Sequence, residues 1–555
     1  MRHIKLLPFA LLALSQGVIA QTTGAAGQFQ QIPPPPVIPK AAPDVRIEQN
    51  RDAVATPASD NVRVLVKSLR VTGSRAYSEP ALLALTGFKP GAELSMGDLV
   101  RMTARIAERY HRDGYFLAQA YLPAQDVKNG VVTIAVLEGK YGKVTVRNPS
   151  AKSRHAIDRQ LAGIRTGDTV TREPLDNRLL LLSDIPGVAV KSTLVPGASI
   201  GTSDLIIDVI PGRTLSGSLE ADNAGNRYTG QYRVGSTLNW NQPFGIGDVA
   251  SLRTLTSGKG LNYARASYQL PLGKARVGVA YSKLRYELIE EFAPLHAHGT
   301  ADVASIYASY PLLRTRDSNL YAGLAYDDKS FHDQLDLTGS VGDKSAQVLM
   351  ASLYGDHRDH FGGGGANTFS VTLSSGNLDL ETPALRTIDA LTAHSNGHYS
   401  KFAYSASRVQ RVTDALSVAA SINGQIASKN LDVSEKMELG GMHAVRAYPE
   451  GEAYADEGYV LSLEARMQLK PFSPAQRGQV QLLAFIDSGT VRRDKDPWTS
   501  GSNSRTLSGA GVGALWSEAG NYMVRAYYAR KLGSEMATSA PDKSGRFWVQ
   551  AVKYF

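Results

Sequence analysis

Residues 232–240 read Tyr-Arg-Val-Gly-Ser-Thr-Leu-Asn-Trp, with Tyr232, Val234, Leu238 and Trp240 alternating with Arg233, Gly235, Thr237 and Asn239. A period of two puts the two sets on opposite faces of a β-strand. The pattern returns at Val277, Val279 and Tyr281, and from Gly212 to Phe555 short alternating stretches are separated by Gly, Asn, Asp and Ser. Helical periods are scarce here. Alternation alone does not choose between a soluble sandwich, which buries the apolar set, and a membrane barrel, which turns it outward. Many of the chain's 25 tyrosines lie in this half, which suits the aromatic girdles of a barrel.

The N-terminus narrows the choice. Arg2, His3 and Lys5 precede an apolar stretch at 6–14, and Val18-Ile19-Ala20 forms a small-residue cleavage site. This predicts a signal peptide over 1–20 and a mature chain from Gln21. The apolar stretch is too short for an anchoring helix, which needs about 20 residues, and no later segment reaches that length. If the mature chain spans a membrane it must therefore do so as a closed barrel, the one architecture besides helices that pairs every backbone amide. With no cysteine, thiol chemistry and disulfides are excluded. The net charge of +9, from 60 basic and 51 acidic residues, is spread without a basic run, so no nucleic-acid partner is expected.

Residues 21–61 are rich in Gln, Ala and Pro, with prolines at 33 to 36, 39 and 43, and read as an extended tether. A short plug helix around 24–31 would have Phe29 as its only large apolar side chain. Between 62 and 211 the pattern is mixed. A strand at 64–72 leads to a helix that starts at Ser95 with Asp98 three residues on, a capping-box arrangement, and carries Leu99, Met102, Ile106 and Tyr110 on one face. Strands follow at 115–122 and 131–138. The order then repeats, with a strand at 144–147, helices at 155–161 and 175–182, and strands at 188–194 and 205–210. Two copies of one α+β unit, 62–140 and 141–211, precede a barrel domain at 212–555.

Gly114-Tyr115, Leu122-Pro123-Ala124-Gln125 and Leu137-Glu138-Gly139 in the first unit, with Arg446 and Asp487 far downstream, resemble the motifs of the two-partner secretion transporters (TpsB; the ShlB/FhaC/HecB type) of the POTRA-plus-barrel superfamily. Gly114-Tyr115, Leu122-Pro123-Ala124-Gln125, Gly130 and Leu137-Glu138-Gly139 resemble the family's first polypeptide-transport-associated (POTRA) domain. Ile185-Pro186-Gly187-Val188, Pro196-Gly197 and Gly201 resemble its second, and Asp222-Asn223-Ala224-Gly225, Gly230 and Gly245-Ile246-Gly247-Asp248 its first barrel strands and turn. Val445-Arg446-Ala447-Tyr448 is similar to the family's VRGY motif, on a loop near 440–457 that folds into the lumen. Phe485-Ile486-Asp487-Ser488-Gly489 is similar to its FxDxG motif on the wall.

The resemblance implies two POTRA domains followed by a 16-stranded antiparallel transmembrane β-barrel in the outer membrane, with the POTRA domains in the periplasm. Sixteen strands would take about 21 residues each from 212–555, enough for a membrane strand and its connection. It implies that Arg446 and Asp487 pair inside the pore, with Val445, Tyr448 and Gly489 around them, as a gate. Alanine at 447 replaces the family's glycine, and a positive φ there would strain it. Phe555 as last residue fits recognition by the barrel-assembly machinery, although Lys553 blurs the alternation.

By the same resemblance the chain secretes a large TpsA-type exoprotein, an adhesin, haemolysin or growth-inhibition toxin, as a monomer among outer-membrane lipids. An assembly factor that inserts other barrels is the alternative. Each repeat is expected to expose a sheet edge beside a helix, where an extended cargo segment can add a strand. No enzyme, cofactor or metal is expected. Leu295-His296-Ala297-His298 and Asp356-His357-Arg358-Asp359-His360 lack a recognised ligand spacing and read as surface loops, and Gly362 to Gly365 lacks the lysine and serine of a phosphate loop.

Overall fold

The computed structural model describes residues 24–36, 44–47, 63–150 and 153–555; the expected signal peptide and most of the tether lie outside them. Sixteen antiparallel strands, β10 (Leu215–Asp222) to β25 (Gly545–Tyr554), close into a barrel in sequence order. The ring is sealed where β25 meets β10, with Ser218 opposite Tyr554 and Asp222 opposite Gln550. Phe555 and Gly217 extend this seam by exchanging backbone hydrogen bonds.

The opening stretch settles the sandwich question. In β11 (Arg233–Asn241), Val234, Leu238 and Trp240 are 61, 40 and 50% exposed, whereas Arg233 and Thr237 are 4 and 8% exposed. Apolar side chains outside and polar ones inside make a surface that meets lipid. Among the described residues no helix is long and apolar enough to cross a membrane.

Strand length varies around the ring, from eight residues in β10 to twenty in β17 (Ser340–Asp359). Both histidine-bearing segments read as loops are partly strand for this reason. Ala297 and His298 begin β15 (Ala297–Arg314), and residues 356–359 end β17. These strands run well past the roughly 10 residues a membrane needs. Among the described residues no group of three or more His, Asp or Glu is placed to hold a metal.

The first α+β unit contains β2 (Arg63–Val66), β3 (Ser68–Thr72), α2 (Glu79–Thr86), β4 (Ala92–Ser95), α3 (Met96–Arg112), β5 (Gln119–Tyr121) and β6 (Val131–Leu137). The single strand expected over 64–72 breaks at Lys67, whose amide donates to Gly130 O at 2.7 Å. β2 then pairs with β4, and β3 with β6. α3 opens on a full capping box: Ser95 Oγ accepts from the Asp98 amide at 3.2 Å, and the Asp98 carboxylate accepts from the Ser95 amide at 2.9 Å. Leu99, Met102, Ile106 and Tyr110 are buried, on the face the spacing predicts. The strand expected at 115–122 shrinks to β5, because the Tyr115 amide turns back to Tyr110 O at 2.9 Å and the preceding residues become a helix-ending turn.

The second unit contains β7 (Lys140–Arg147), α4 (Arg154–Leu161), α5 (Arg172–Ser183), β8 (Val188–Pro196) and β9 (Thr202–Pro211). Its sheet has a fourth member from the tether, β1 (Asp44–Ile47), in the order β1-β8-β9-β7. The β8 edge is therefore paired from Lys191 to Leu194, and β7 forms the other edge of the sheet. This unit caps the barrel end where the chain enters. Arg314 holds Asp184 through two bonds of 2.9 Å, Arg316 holds Asp176 at 2.8 Å, and Gln160 reaches Gly273 O at 3.2 Å.

Candidate functional site

The motif residues of the first unit are its joints. Gly114 O accepts from the Arg172 amide and Gly139 O from the Val170 amide, both at 2.9 Å, so each ties the first unit to the second. Gly139 has φ +77°, and a Cβ there would lie 2.7 Å from the Leu117 Cβ; no other residue fits. Glu138 is buried, accepting from the amides of Arg75 and Ala76 at 2.6 and 2.8 Å and from the Tyr110 hydroxyl at 3.0 Å. Burial pushes the Tyr110 phenol well above its ordinary pKa, which keeps it a donor. Tyr115 packs edge-on against the Tyr110 ring at 5.5 Å. Gln125 uses its amide as a strand would, donating to Thr133 O and accepting from Thr133 N at 2.7 Å each, and it also reaches Pro123 O at 3.3 Å. Gly130 supplies the carbonyl that breaks the first strand at Lys67.

Inside the barrel, the loop between β20 (Leu416–Ala427) and β21 (Glu457–Gln468) folds back into the lumen. At its tip Arg446 meets Asp487 on β22 (Gln479–Arg492) through two parallel bonds, Nε to Oδ2 at 2.8 Å and Nη2 to Oδ1 at 2.7 Å. A planar fork on a carboxylate fixes direction as well as distance. The Arg446 amide adds a third bond to Asp487 at 3.2 Å, Nη1 takes Glu464 at 2.7 Å, and Nη2 takes Ser462 Oγ at 3.0 Å. The guanidinium lies 3.4 Å from the centre of the Phe485 ring and 5.1 Å from that of Tyr527. Trp548 donates to Arg446 O at 2.7 Å. Asp487 is fully buried and Arg446 is 5% exposed, so water screens this pair little, and removing one partner of such a pair costs about 3–5 kcal/mol.

The neighbours expected around the pair are in place. Val445 and Tyr448 are fully buried, and the Tyr448 hydroxyl donates to Glu535 O at 3.0 Å. Gly489 leaves room for the loop, since a Cβ there would lie 2.4 Å from Leu439 Cδ1. Ala447 is not among the residues with positive φ, so its methyl causes no backbone strain.

Further anchors cross the lumen. Lys329 on β16 (Ser318–Leu335) and Lys401 on β19 (Gly397–Arg411) hold Glu435 at 2.7 and 2.9 Å, Lys344 on β17 holds Asp432 at 2.8 Å, and Arg505 holds Glu452. Helix α1 (Ala25–Gln30) shares the space. Its small residues Ala25, Ala26 and Gly27 are buried, the Ala25 amide donates to Asp333 at 2.7 Å, and Tyr454 of the loop donates to Gly27 O at 3.3 Å. The lumen is thus filled by two pieces of the same chain.

Residues 201–515 match the family described as haemolysin secretion/activation protein ShlB/FhaC/HecB. The chain belongs to this family. Its residues 64–139 match the POTRA domain of ShlB type. The heme/hemopexin transporter protein HuxB of Haemophilus influenzae (strain 86-028NP) is 29% identical over 475 residues, 84% of this chain and 82% of the relative. The outer membrane transporter CdiB of Dickeya dadantii (strain 3937) is 25% identical over 418 residues, 74% and 72% of the two chains. Among solved structures, CdiB from Escherichia coli superposes with a TM-score of 0.68 at 20% identity, covering 98% of each chain, a likeness of fold. This member of the ShlB/FhaC/HecB family is an outer-membrane transporter of two-partner secretion, with POTRA domains in the periplasm. The family is one of transporters and not an enzyme class.

Ser462, Glu464, Tyr527 and Trp548 escaped the sequence reading. Each sits at an inward position of a strand, and register brings Ser462 opposite Asp487 and Glu464 opposite Phe485. Alternation could mark them as inward-facing, but only strand pairing puts them beside Arg446.

Proposed function

We propose that this transporter exports one large unfolded exoprotein, received by the POTRA domains and threaded through the barrel once the lumen loop moves. Adhesin, haemolysin and growth-inhibition toxin are the cargo classes, and the relatives' names add a heme- or hemopexin-handling protein. The observation that carries this reading is the Arg446–Asp487 fork at the centre of a loop that, with helix α1, plugs the barrel. The loop meets the wall mainly through side chains, the apolar cluster around Val445 and Tyr448 as well as the ion pairs, so it can be displaced without breaking the strand ladder. Val445, Arg446, Tyr448, Asp487 and Gly489 form the gate, and the POTRA motif residues set the domain joints through which cargo is handed on. The chain is organised as a signal peptide at 1–20, a tether with a plug helix at 21–61, POTRA domains at 62–140 and 141–211, and the barrel at 212–555.

The transporter works as a monomer among outer-membrane lipids, is inserted by the barrel-assembly machinery, carries no catalytic step, and conducts ions when the loop moves. Co-expression with a candidate large exoprotein, followed by assay of the medium, tests this. Export that depends on the transporter supports it; cargo retained in the periplasm together with defective insertion of other barrels would favour the assembly-factor alternative.

A further inference from the structure

A cleft of about 370 Å³ lies where the second POTRA domain meets the barrel rim, between α4 and the turn that joins β13 (Leu261–Leu272) to β14 (Ala275–Glu287). Four of its side chains are basic: His155 and Arg159 on α4, Lys274 in the turn and Arg276 on β14. Its one carboxylate, Asp184, is already held by Arg314. Arg159 and Lys274 are exposed and, among the described residues, make no ion pair. Gln160 joins α4 to the turn through Gly273 O, so the residues beside that bond, Arg159 and Lys274, line the cleft from the POTRA side and from the barrel side.

The rest of the lining is largely apolar. Ile185, Pro271 and Pro311 add wall, and the exposed Ile246 and Leu272 form a lip. Leu272 has the outward parity of β13, opposite to the buried Leu261 and Tyr263, which pack in the lumen. The rim stands at the level of the membrane interface. Trp240 and Tyr310, near the periplasmic ends of β11 and β15, and Phe244 in the turn after β11 are all exposed, as interfacial aromatics are.

We propose that this cleft binds one anionic glycerophospholipid of the leaflet facing the periplasm, its phosphate between Arg159 and Lys274 and an acyl chain over Leu272 and Ile246. The two halves of the cleft call for an amphiphile. Cationic side chains pair strongly with phosphate, and basic pockets at a membrane surface select anionic headgroups. A free phosphate makes no use of the apolar lip. A phosphate gripped from both sides adds a tie across the joint that Gln160 and Arg314 already make, so anionic lipid sets how firmly the second POTRA domain is docked.

The full-length protein, stripped of lipid in detergent, is mixed with dioleoyl phosphatidylglycerol, dioleoyl phosphatidylcholine or inorganic phosphate and weighed by native mass spectrometry. Phosphatidylglycerol should be retained at least about fivefold better than phosphatidylcholine, and inorganic phosphate should not displace it. R159Q and K274Q should each lower its retention about fivefold, and the double substitution about 25-fold. R159K should recover part of the loss, and R154Q, on the same helix but outside the cleft, should retain lipid normally. Equal retention of the two lipids, displacement by phosphate, or undiminished retention in R159Q/K274Q overturns the proposal. The absence of native cysteine allows spin labels on α5 and on a barrel turn. In nanodiscs their distance distribution should be narrower with phosphatidylglycerol than with phosphatidylcholine alone, and R159Q/K274Q should abolish that difference. Identical distributions in the unaltered protein overturn the tie across the joint.

Discussion

The methyl of Ala447 fills the space that a side chain at position 509 would need: a Cβ built on Gly509 lies 2.4 Å from the Ala447 Cβ. The loop tip and the barrel wall are thus fitted to each other at a point where the wall carries no side chain. Replacing Gly509 by alanine should push the tip outward at a cost of about 1–3 kcal/mol, the usual range for overpacking. The expected readouts are a raised ion conductance in planar bilayers and faster cleavage of the loop by protease. Ala447→Gly should leave both near normal. A silent Gly509→Ala would show that the tip does not rest where it is described.

The Arg446–Asp487 fork predicts non-additivity. Arg446→Ala strands the buried Asp487 carboxylate and should loosen the loop by about 3–5 kcal/mol, whereas Asp487→Ala leaves Arg446 its Glu464 partner and should cost less. The double substitution should cost clearly less than the sum, because no lone charge remains. Arg446→Lys keeps the charge and loses the two-pronged contact, so its export should fall between the unaltered level and that of Arg446→Ala. Loop protease sensitivity and secreted cargo, measured on the same four proteins, decide it.

The second POTRA domain should swing if Arg314 is lost. Its two bonds to Asp184 are partly buried, and bonds of this charged kind are worth about 1.5–3 kcal/mol. With Arg314→Ala, distances between spin labels on α5 and on a barrel turn should broaden, while barrel melting stays unchanged. An unaltered distance distribution would assign the docking to the Gln160 and Arg316 contacts instead.

A pH dependence follows from the α3 cap. The Asp98 carboxyl titrates below its ordinary range because it accepts hydrogen bonds from the Ser95 amide, the Ser95 hydroxyl and Arg101. Its pKa is lower in the folded state than in the unfolded chain, so the stabilisation is present above the unfolded value, near 4, and is lost as pH falls through the folded value. Hydrogen exchange at residues 95–102, corrected for the intrinsic rate, should accelerate over that window. With Asp98→Asn the same amides should show no such step.

The alternation at 232–240 gave the strand but not its facing; that needed to be seen as Val234 outside and Arg233 inside. Arg446 and Asp487 were legible because the residue types that make a fork sit in recognisable local motifs. Ser462 and Trp548 were not, since their importance comes from register across strands, which a linear pattern does not encode. Strand β1 was hidden for a related reason: Asp-Val-Arg-Ile inside a proline-rich tether is extended in either reading, and only the β8 edge turns it into part of a sheet. The expected strand at 115–122 failed on a local rule, with Gly114 and Tyr115 consumed in closing α3.

The seam between β10 and β25 also bears on how the protein is made. Asn223 donates to Phe547 O at 2.9 Å across 324 positions of sequence, and the lumen loop waits in the same way for Asp487, Arg505 and Trp548, all of which follow it along the chain. Contacts so distant in sequence form late and slowly. Until the last strands pair, the sheet therefore carries two bare edges, and the loop has its lysine anchors on β16, β17 and β19 but not the fork at its tip. Pairing of β25 with β10 is the step that turns an open, aggregation-prone sheet into a vessel, so the barrel depends on being shielded until that seam forms.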